Sequence, residues 1–266
     1  VKKLSLYFVI FVMMATLASC TGPDSSPRAL LNVILVDTPA KWDSVFVEIE
    51  GVEVNMLVQG RETSPESFFF EYKNGDKKIK VSDLVGGNAL LLGRSELPLG
   101  QVTEVTVRLG NSHSMFFGQN EYPLPLVDPV FTELVLSTLV VLEQGISYDL
   151  YLDMDLEKSI EETSIEPLSY QLNPTFTLIK GAETGELKGL LSNQKLYPAA
   201  FLFNSSDTLS THLNSSGTYY FRAPAGEYTV RLDPKDERYL DTTFSVQIEP
   251  RKITVIEKKI AFRAKP

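Results

Sequence analysis

From residue 28 onward, apolar and polar positions alternate with a period of two, and turn residues interrupt the alternation at intervals of roughly 8–12 positions. Leu31, Val33 and Leu35 alternate with Asn32, Ile34 and Val36, and Val45, Val47 and Ile49 alternate with Phe46, Glu48 and Glu50. Successive side chains of a strand point to opposite faces, so each segment predicts a strand with one face packed and the other at least partly wet. The same reading predicts strands over 68–72, 78–81, 102–109, 131–142 and 147–154, and short helices only over 83–91 and 155–162.

A polar stretch with two glycines, Lys180-Gly181-Ala182-Glu183-Thr184-Gly185, separates this region from a second one with a cleaner alternation. There, 186–191, 199–204, 208–213, 218–222, 227–232, 242–248 and 253–262 read as seven short strands. Turns such as Asn204-Ser205-Ser206-Asp207 and Pro224-Ala225-Gly226 separate them. The expected fold class is therefore mainly β, with two antiparallel sandwich-like domains over 29–180 and 185–266.

The N-terminus follows a different pattern. Lys2 and Lys3 precede a mostly apolar run from Leu4 to Leu17, which is the layout of a secretory signal. A membrane-spanning helix needs about 20 apolar residues, and this run is shorter and contains Ser5 and Thr16. It ends in Leu17-Ala18-Ser19-Cys20, which matches the bacterial lipobox and predicts cleavage between Ser19 and Cys20, with a diacylated Cys20 at the new N-terminus. Two acyl chains suffice for stable anchoring. Residues 1–19 are thus read as a lipoprotein signal peptide and 20–28, rich in Pro, Gly and Ser, as a flexible tether. Thr21 is not the aspartate that retains many lipoproteins at an inner membrane, so an outer-membrane address is favoured and the side it faces is left open.

Composition narrows the chemistry. A hydrophobic content of 43% supports real cores, and a formal charge of −9 without a Lys/Arg cluster argues against nucleic acid as a partner. Cys20 is the only cysteine, so lipidation leaves the mature chain without a thiol for a disulfide, a nucleophile or a soft metal site. No cofactor is expected.

Several residues remain as candidates. Asp153 and Asp155 lie two apart on a predicted strand, so both carboxylates project from one face and could contribute to a calcium site, with Asp37 as a third member; Asp155 could equally cap the helix that follows. Glu48, Glu50 and Glu53 form an acidic stripe that could suit a glycosidase, or could simply be the wet face of a strand. A site using His113 and His212 would have to bridge the two regions. Trp42, the single tryptophan, could stack on a sugar or anchor a protein partner, or could cover the end of a sandwich.

Two resemblances bear on the chain. The opening 31–40, the segment 43–54, Leu97-Pro98-Leu99-Gly100-Gln101 and Leu152-Asp153-Met154-Asp155 ahead of Ser159-Ile160 resemble domain of unknown function 4382, found in bacterial lipoproteins and other exported proteins. That resemblance implies a β-rich exported module and no particular chemistry. Gly185-Glu186-Leu187-Lys188-Gly189, the segment 214–221 and Pro224-Ala225-Gly226-Glu227-Tyr228-Thr229-Val230 resemble the transthyretin-like sandwiches related to carboxypeptidase regulatory domains. It implies a seven-stranded spacer, stabiliser or binding module without catalytic residues. The expectation is a non-enzymatic cell-envelope lipoprotein, held to a lipid membrane through acylated Cys20, that binds or scaffolds a protein or glycan partner. The alternatives are a fimbria-like structural or anchor subunit assembling by strand exchange, with 253–262 as the donor strand, and a calcium-dependent hydrolase.

Overall fold

The computed structural model describes residues 26–38, 42, 44–73, 75–128, 132–192, 196, 198–206, 208–213 and 216–266; the signal segment, Ser19, Cys20 and nearly all of the tether lie outside the described residues. In chain order, the first region supplies β1 (Arg28–Thr38), β2 (Ser44–Val58), β3 (Arg61–Glu71), β4 (Lys78–Lys80), β5 (Leu90–Pro98), β6 (Gly100–Leu109) and β7 (Ser114–Phe117). It continues with β8 (Asn120–Pro123), β9 (Glu133–Leu142), β10 (Ser147–Asp155), the single-turn helix α1 (Leu156–Ser159), β11 (Ile160–Ile165), β12 (Leu168–Leu172) and β13 (Phe176–Lys180).

Eleven of these strands form two facing layers, and β11 and β12 pair as a separate two-stranded sheet. One layer is a four-stranded sheet in the order β13-β10-β1-β5; the other has seven strands along β8-β7-β2-β6-β9, with β3 and β4 also pairing with β2. Strand β2 joins the larger layer because it changes partners midway: Phe46 to Glu48 pair with β4, and Gly51 to Val58 pair with β3 and β6. The register shifts between Ile49 and Gly51, which moves the buried set from Val45, Val47 and Ile49 to Val52, Val54 and Met56. The extra residue lets one strand keep its apolar side inward through the bend. Leu31, Val33 and Leu35 of β1 and Leu150, Leu152 and Met154 of β10 close the core from the other layer. Burying each such side chain contributes roughly 1.5–3 kcal/mol.

The second region has β14 (Thr184–Leu191), β15 (Ala199–Phe203), β16 (Thr208–His212), β17 (Thr218–Pro224), β18 (Gly226–Asp233), β19 (Thr242–Ile248) and β20 (Ile253–Ile260). A three-stranded sheet β17-β14-β20 packs on a four-stranded sheet β16-β15-β18-β19, giving a seven-stranded sandwich. Its core holds Leu187, Leu202, Tyr219, Phe221, Val230 and Ile248. Gly189 is required there, because an added Cβ would overlap the Tyr219 ring and hydroxyl.

The mainly β, sandwich-like class is what alternation predicts, and three details differ from the expectation. Each region contains one parallel ladder, β1 with β10 and β14 with β20, where antiparallel pairing was expected throughout. Alternation is the same in both directions, so it carries no information on strand polarity. The helix expected over 83–91 is absent: a 3₁₀ turn covers Val81–Asp83, and Leu90 already begins β5. The helix expected over 155–162 stops at Ser159, and β11 follows at once. In both places a short apolar run fits either period, and pairing with β1 or β12 decides for strand. Among the described residues, no helix is long and apolar enough to cross a membrane.

Candidate functional site

The two sandwiches meet across the outer face of the β13-β10-β1-β5 sheet. Parallel register sets Asn32 beside Asp149, Ile34 beside Tyr151, Val36 beside Asp153 and Thr38 beside Asp155, so these residues share that face. Asn32 organises one end: its Nδ2 donates to Asp149 Oδ1 at 2.6 Å and to Ser147 Oγ at 3.1 Å, and its Oδ1 accepts from Arg94 Nε at 2.6 Å. From the opposite side come Tyr220 and Arg222 of β17. The Arg222 guanidinium lies 3.7 Å from the Tyr151 ring centroid, and its Nη2 donates to Glu186 Oε1 at 2.8 Å and to the Tyr220 hydroxyl at 2.9 Å. Glu186 faces Arg222 directly in the β14–β17 ladder. Burial pushes both the Tyr151 and the Tyr220 hydroxyl above the usual tyrosine range, although the Arg222 charge opposes the rise in each case.

Arg222 lines two clefts. The larger, of about 590 Å³, lies between Leu139 and Val141 of β9, Tyr148 of β10, Lys180, and Arg251 and Ile253 at the start of β20. The smaller, of about 210 Å³, is bordered by Val36, Asp153, Asp155, Lys158, Thr208 and Tyr220. Both β9 and β20 are edge strands. Their solvent faces are apolar at the larger cleft: Leu139 is 62% exposed and Ile253 61% exposed, with Val141 also in the lining and exposed Val255 two residues beyond Ile253 along β20.

The structure sorts the residues singled out in the sequence. Asp153 and Asp155 do share one face, but Asp155 caps α1, with Oδ1 accepting from Lys158 N–H at 3.0 Å and Oδ2 paired with Lys158 Nζ at 2.7 Å. Asp37 borders the same smaller cleft but starts from the other face of the sheet. It is in register with Met154, so its side chain starts from the core-facing side of the sheet, and strand alternation keeps the three carboxylates from converging. Among the described residues, no group of three His, Cys, Asp or Glu could hold a metal ion.

Two members of the acidic stripe have structural roles, and Glu50 is exposed. Glu48 Oε2 accepts from Asn111 N–H and Ser112 N–H, both at 2.8 Å, while Glu53 pairs with Arg108. His113 is buried at that corner, and its Nδ1 accepts the Glu48 N–H at 3.1 Å. Burial holds the imidazole below its ordinary pKa, against the raising effects of the Gly110 backbone and the Glu48 charge. His212 belongs to β16 of the other sandwich.

Trp42 packs edge-on against Phe117 at 5.9 Å and Tyr170 at 5.5 Å, covering one end of the first sandwich. The predicted donor segment is β20, an edge strand whose Ile256 and Ile260 pack on the core, followed by buried Phe262. Sequence reading missed the Arg222–Tyr151 junction. Tyr220 and Arg222 fall in a segment read only as a short strand, and only the packing of two sheets brings them onto β10.

A family described as a domain of unknown function (DUF4382) matches residues 28–174, more than half of the chain. No curated protein matches this sequence. Among solved structures, the Bacillus anthracis TIE protein is similar at 10% identity over 92% of this chain, with a TM-score of 0.27, and this chain spans 42% of its length. GBS52, the minor pilin of Streptococcus agalactiae, is similar at 10% identity over 88% of this chain and 96% of that one, with a TM-score of 0.24. A candidate adhesin from Bacteroides ovatus is similar at 11% identity over 94% of this chain and 98% of that one, with a TM-score of 0.27.

Proposed function

The chain belongs to the DUF4382 family, and from that premise we propose that it is a non-enzymatic lipoprotein of the bacterial cell envelope, anchored through Cys20 and presenting a binding surface to a protein or glycan partner. The observation that carries the binding role is the pair of apolar edge strands at the larger cleft. Leu139 and Val141 on β9 and Ile253 and Val255 on β20 are all more than half exposed. Contiguous exposed apolar surface on a water-soluble domain marks an interaction site, and an edge strand adds unpaired backbone donors and acceptors. The second sandwich, transthyretin-like in its sequence motifs, serves as spacer and as the second wall of that cleft. The lipobox-like Leu17-Ala18-Ser19-Cys20 supports the anchor, and Thr21 supports an outer-membrane address.

A fimbria-like subunit assembling by strand exchange is the second reading, favoured by the position of β20 at a sheet edge. Releasing β20 would uncover half-buried Ile256 and Ile260 and, with the segment that follows it, buried Phe262, whose full burial alone is worth roughly 1.5–3 kcal/mol. Binding at the intact edge carries no such penalty.

Metabolic labelling with a palmitate analogue checks the anchor: wild type incorporates it and Cys20→Ala does not, whereas equal labelling removes the lipoprotein reading. Photo-crosslinking from positions 139 and 253 in intact cells checks the surface. A discrete adduct is expected at both and not at exposed Glu227; adducts absent from all three positions refute the binding role.

A further inference from the structure

We propose that one pole of the first sandwich, formed by the β2–β3, β5–β6 and β9–β10 turns, rests on the lipid surface, and that the opposite pole, carrying Trp42 and Phe117, points away from it. The proposal rests on acylation of Cys20. Strand β1 begins at Arg28, and the three turns are tied to that start and to one another. Gly145 N–H donates to Arg28 O at 2.9 Å, Leu30 N–H to Ile146 O at 3.0 Å, and Gln59 N–H to Leu99 O at 2.9 Å, while Arg28 is in register with Pro98.

Length decides the orientation. Seven residues lie between Cys20 and Arg28, and a chain spans at most about 3.3–3.6 Å per residue step, so over eight steps Arg28 stands no more than about 26–29 Å from a lipidated Cys20. Strand β1 has 11 residues from Arg28 to Thr38, and ten steps at about 3.3 Å each put the far pole about 33 Å beyond Arg28. An inverted molecule standing on that far pole would stretch the connection past its limit.

Charge weighs less than length. The chain as a whole carries −9, and an acidic surface is repelled by anionic headgroups. At this pole, Arg28 and Arg61 stand against Glu62, Glu66 and Glu143, with Arg61 paired to Glu66 at 2.8 Å, so the pole carries only a small formal charge of −1. Its exposed tips are Gln59, Gly60, Gln144 and Gly145, with half-buried Leu99 and exposed Ile146 between them. The far pole presents Phe117 at the β7–β8 turn, and upright anchoring leaves that turn and the aromatic cluster behind it accessible from the aqueous side.

The lipidated protein tests this directly, because acylation consumes its only thiol. Gln59→Cys, Gln144→Cys and Gln119→Cys each introduce a single labelling site, the first two at the proposed lipid-facing pole and the third in the β7–β8 turn. Each variant, labelled with an environment-sensitive fluorophore and reconstituted into phosphatidylethanolamine and phosphatidylglycerol vesicles containing headgroup-nitroxide lipid, reports its distance from the bilayer. Labels at 59 and 144 are expected to be quenched at least threefold more than the label at 119. Equal or reversed quenching in protein that co-floats with vesicles overturns the orientation while the anchor stands. Protein with Cys20 intact that fails to co-float overturns both.

Discussion

Arg222 of the second sandwich stacks on Tyr151 of the first at 3.7 Å, while its guanidinium is also held by Glu186 of its own sheet. The Arg222 side chain is only 10% exposed, so its charge is largely desolvated and its partners matter more than those of a surface ion pair. Arg222→Ala is expected to lower stability by about 1–3 kcal/mol, combining lost stacking with an unpaired Glu186. Arg222→Lys is expected to recover little, since an ammonium lacks the planar face that lies over the ring. Scanning calorimetry of the three proteins checks both, and the Ala variant should separate one transition into two. An unchanged single transition would mean that the junction does not couple the sandwiches.

Acid sensitivity follows from His113. Its native pKa lies below the ordinary 6.5 because the ring is buried, so the folded chain keeps it neutral where the unfolded chain takes up a proton. Stability from this residue is complete above about pH 6.5 and is lost as pH falls from there through the lowered native pKa, at no more than about 1.4 kcal/mol per pH unit. Protonation of Nδ1 would also break its bond from Glu48 N–H. His113→Gln is expected to flatten the urea-midpoint profile between pH 6.5 and 5; a variant with the wild-type slope would place the acid sensitivity elsewhere.

Tyr219 governs the alkaline side. Its ring is fully buried, its hydroxyl has no hydrogen-bond partner among the described residues, and burial pushes its pKa up to about 12. Tyr219→Phe removes an unsatisfied polar atom and is expected to be neutral or to stabilise by up to about 1 kcal/mol. In wild type, the raised pKa gives stability that is fully present below pH 10 and is lost as pH rises through about 12. Denaturant titrations at pH 8 and pH 11 should show a smaller drop for the Phe variant.

Asp155 separates capping from metal binding. Asp155→Ala is expected to lose about 1 kcal/mol, the usual worth of a side-chain cap, and Asp155→Asn to retain most of it. Millimolar calcium is expected to leave the wild-type melting temperature unchanged, since a bound ion would raise it by linkage. A calcium-dependent rise that Asp155→Asn abolishes would restore the metal reading.

How much of this was legible in the sequence depends on the range over which each feature is encoded. The strands of the second sandwich could be placed within a few residues, because Leu187, Tyr219 and Val230 sit in short alternating runs bounded by turn residues. Strand β5 was hidden, because Leu90-Leu91-Leu92 has no clear period and Gly93 fits closely against Phe70 for a reason visible only in the fold.

The same division holds for the protein as a whole. By itself the sequence determined the β class, the pattern of buried faces, the lipobox-like Cys20 and the absence of any further thiol, since all of these reside in residue type and local spacing. Only the tertiary structure decided that β1 runs parallel to β10, that Asp37 leaves Asp153 and Asp155 for the other face, and that Arg222 reaches Tyr151 across 71 positions of chain. Strand polarity, register and sheet-on-sheet contact arise from packing between distant segments, and the period-two signal is identical for every way of pairing them.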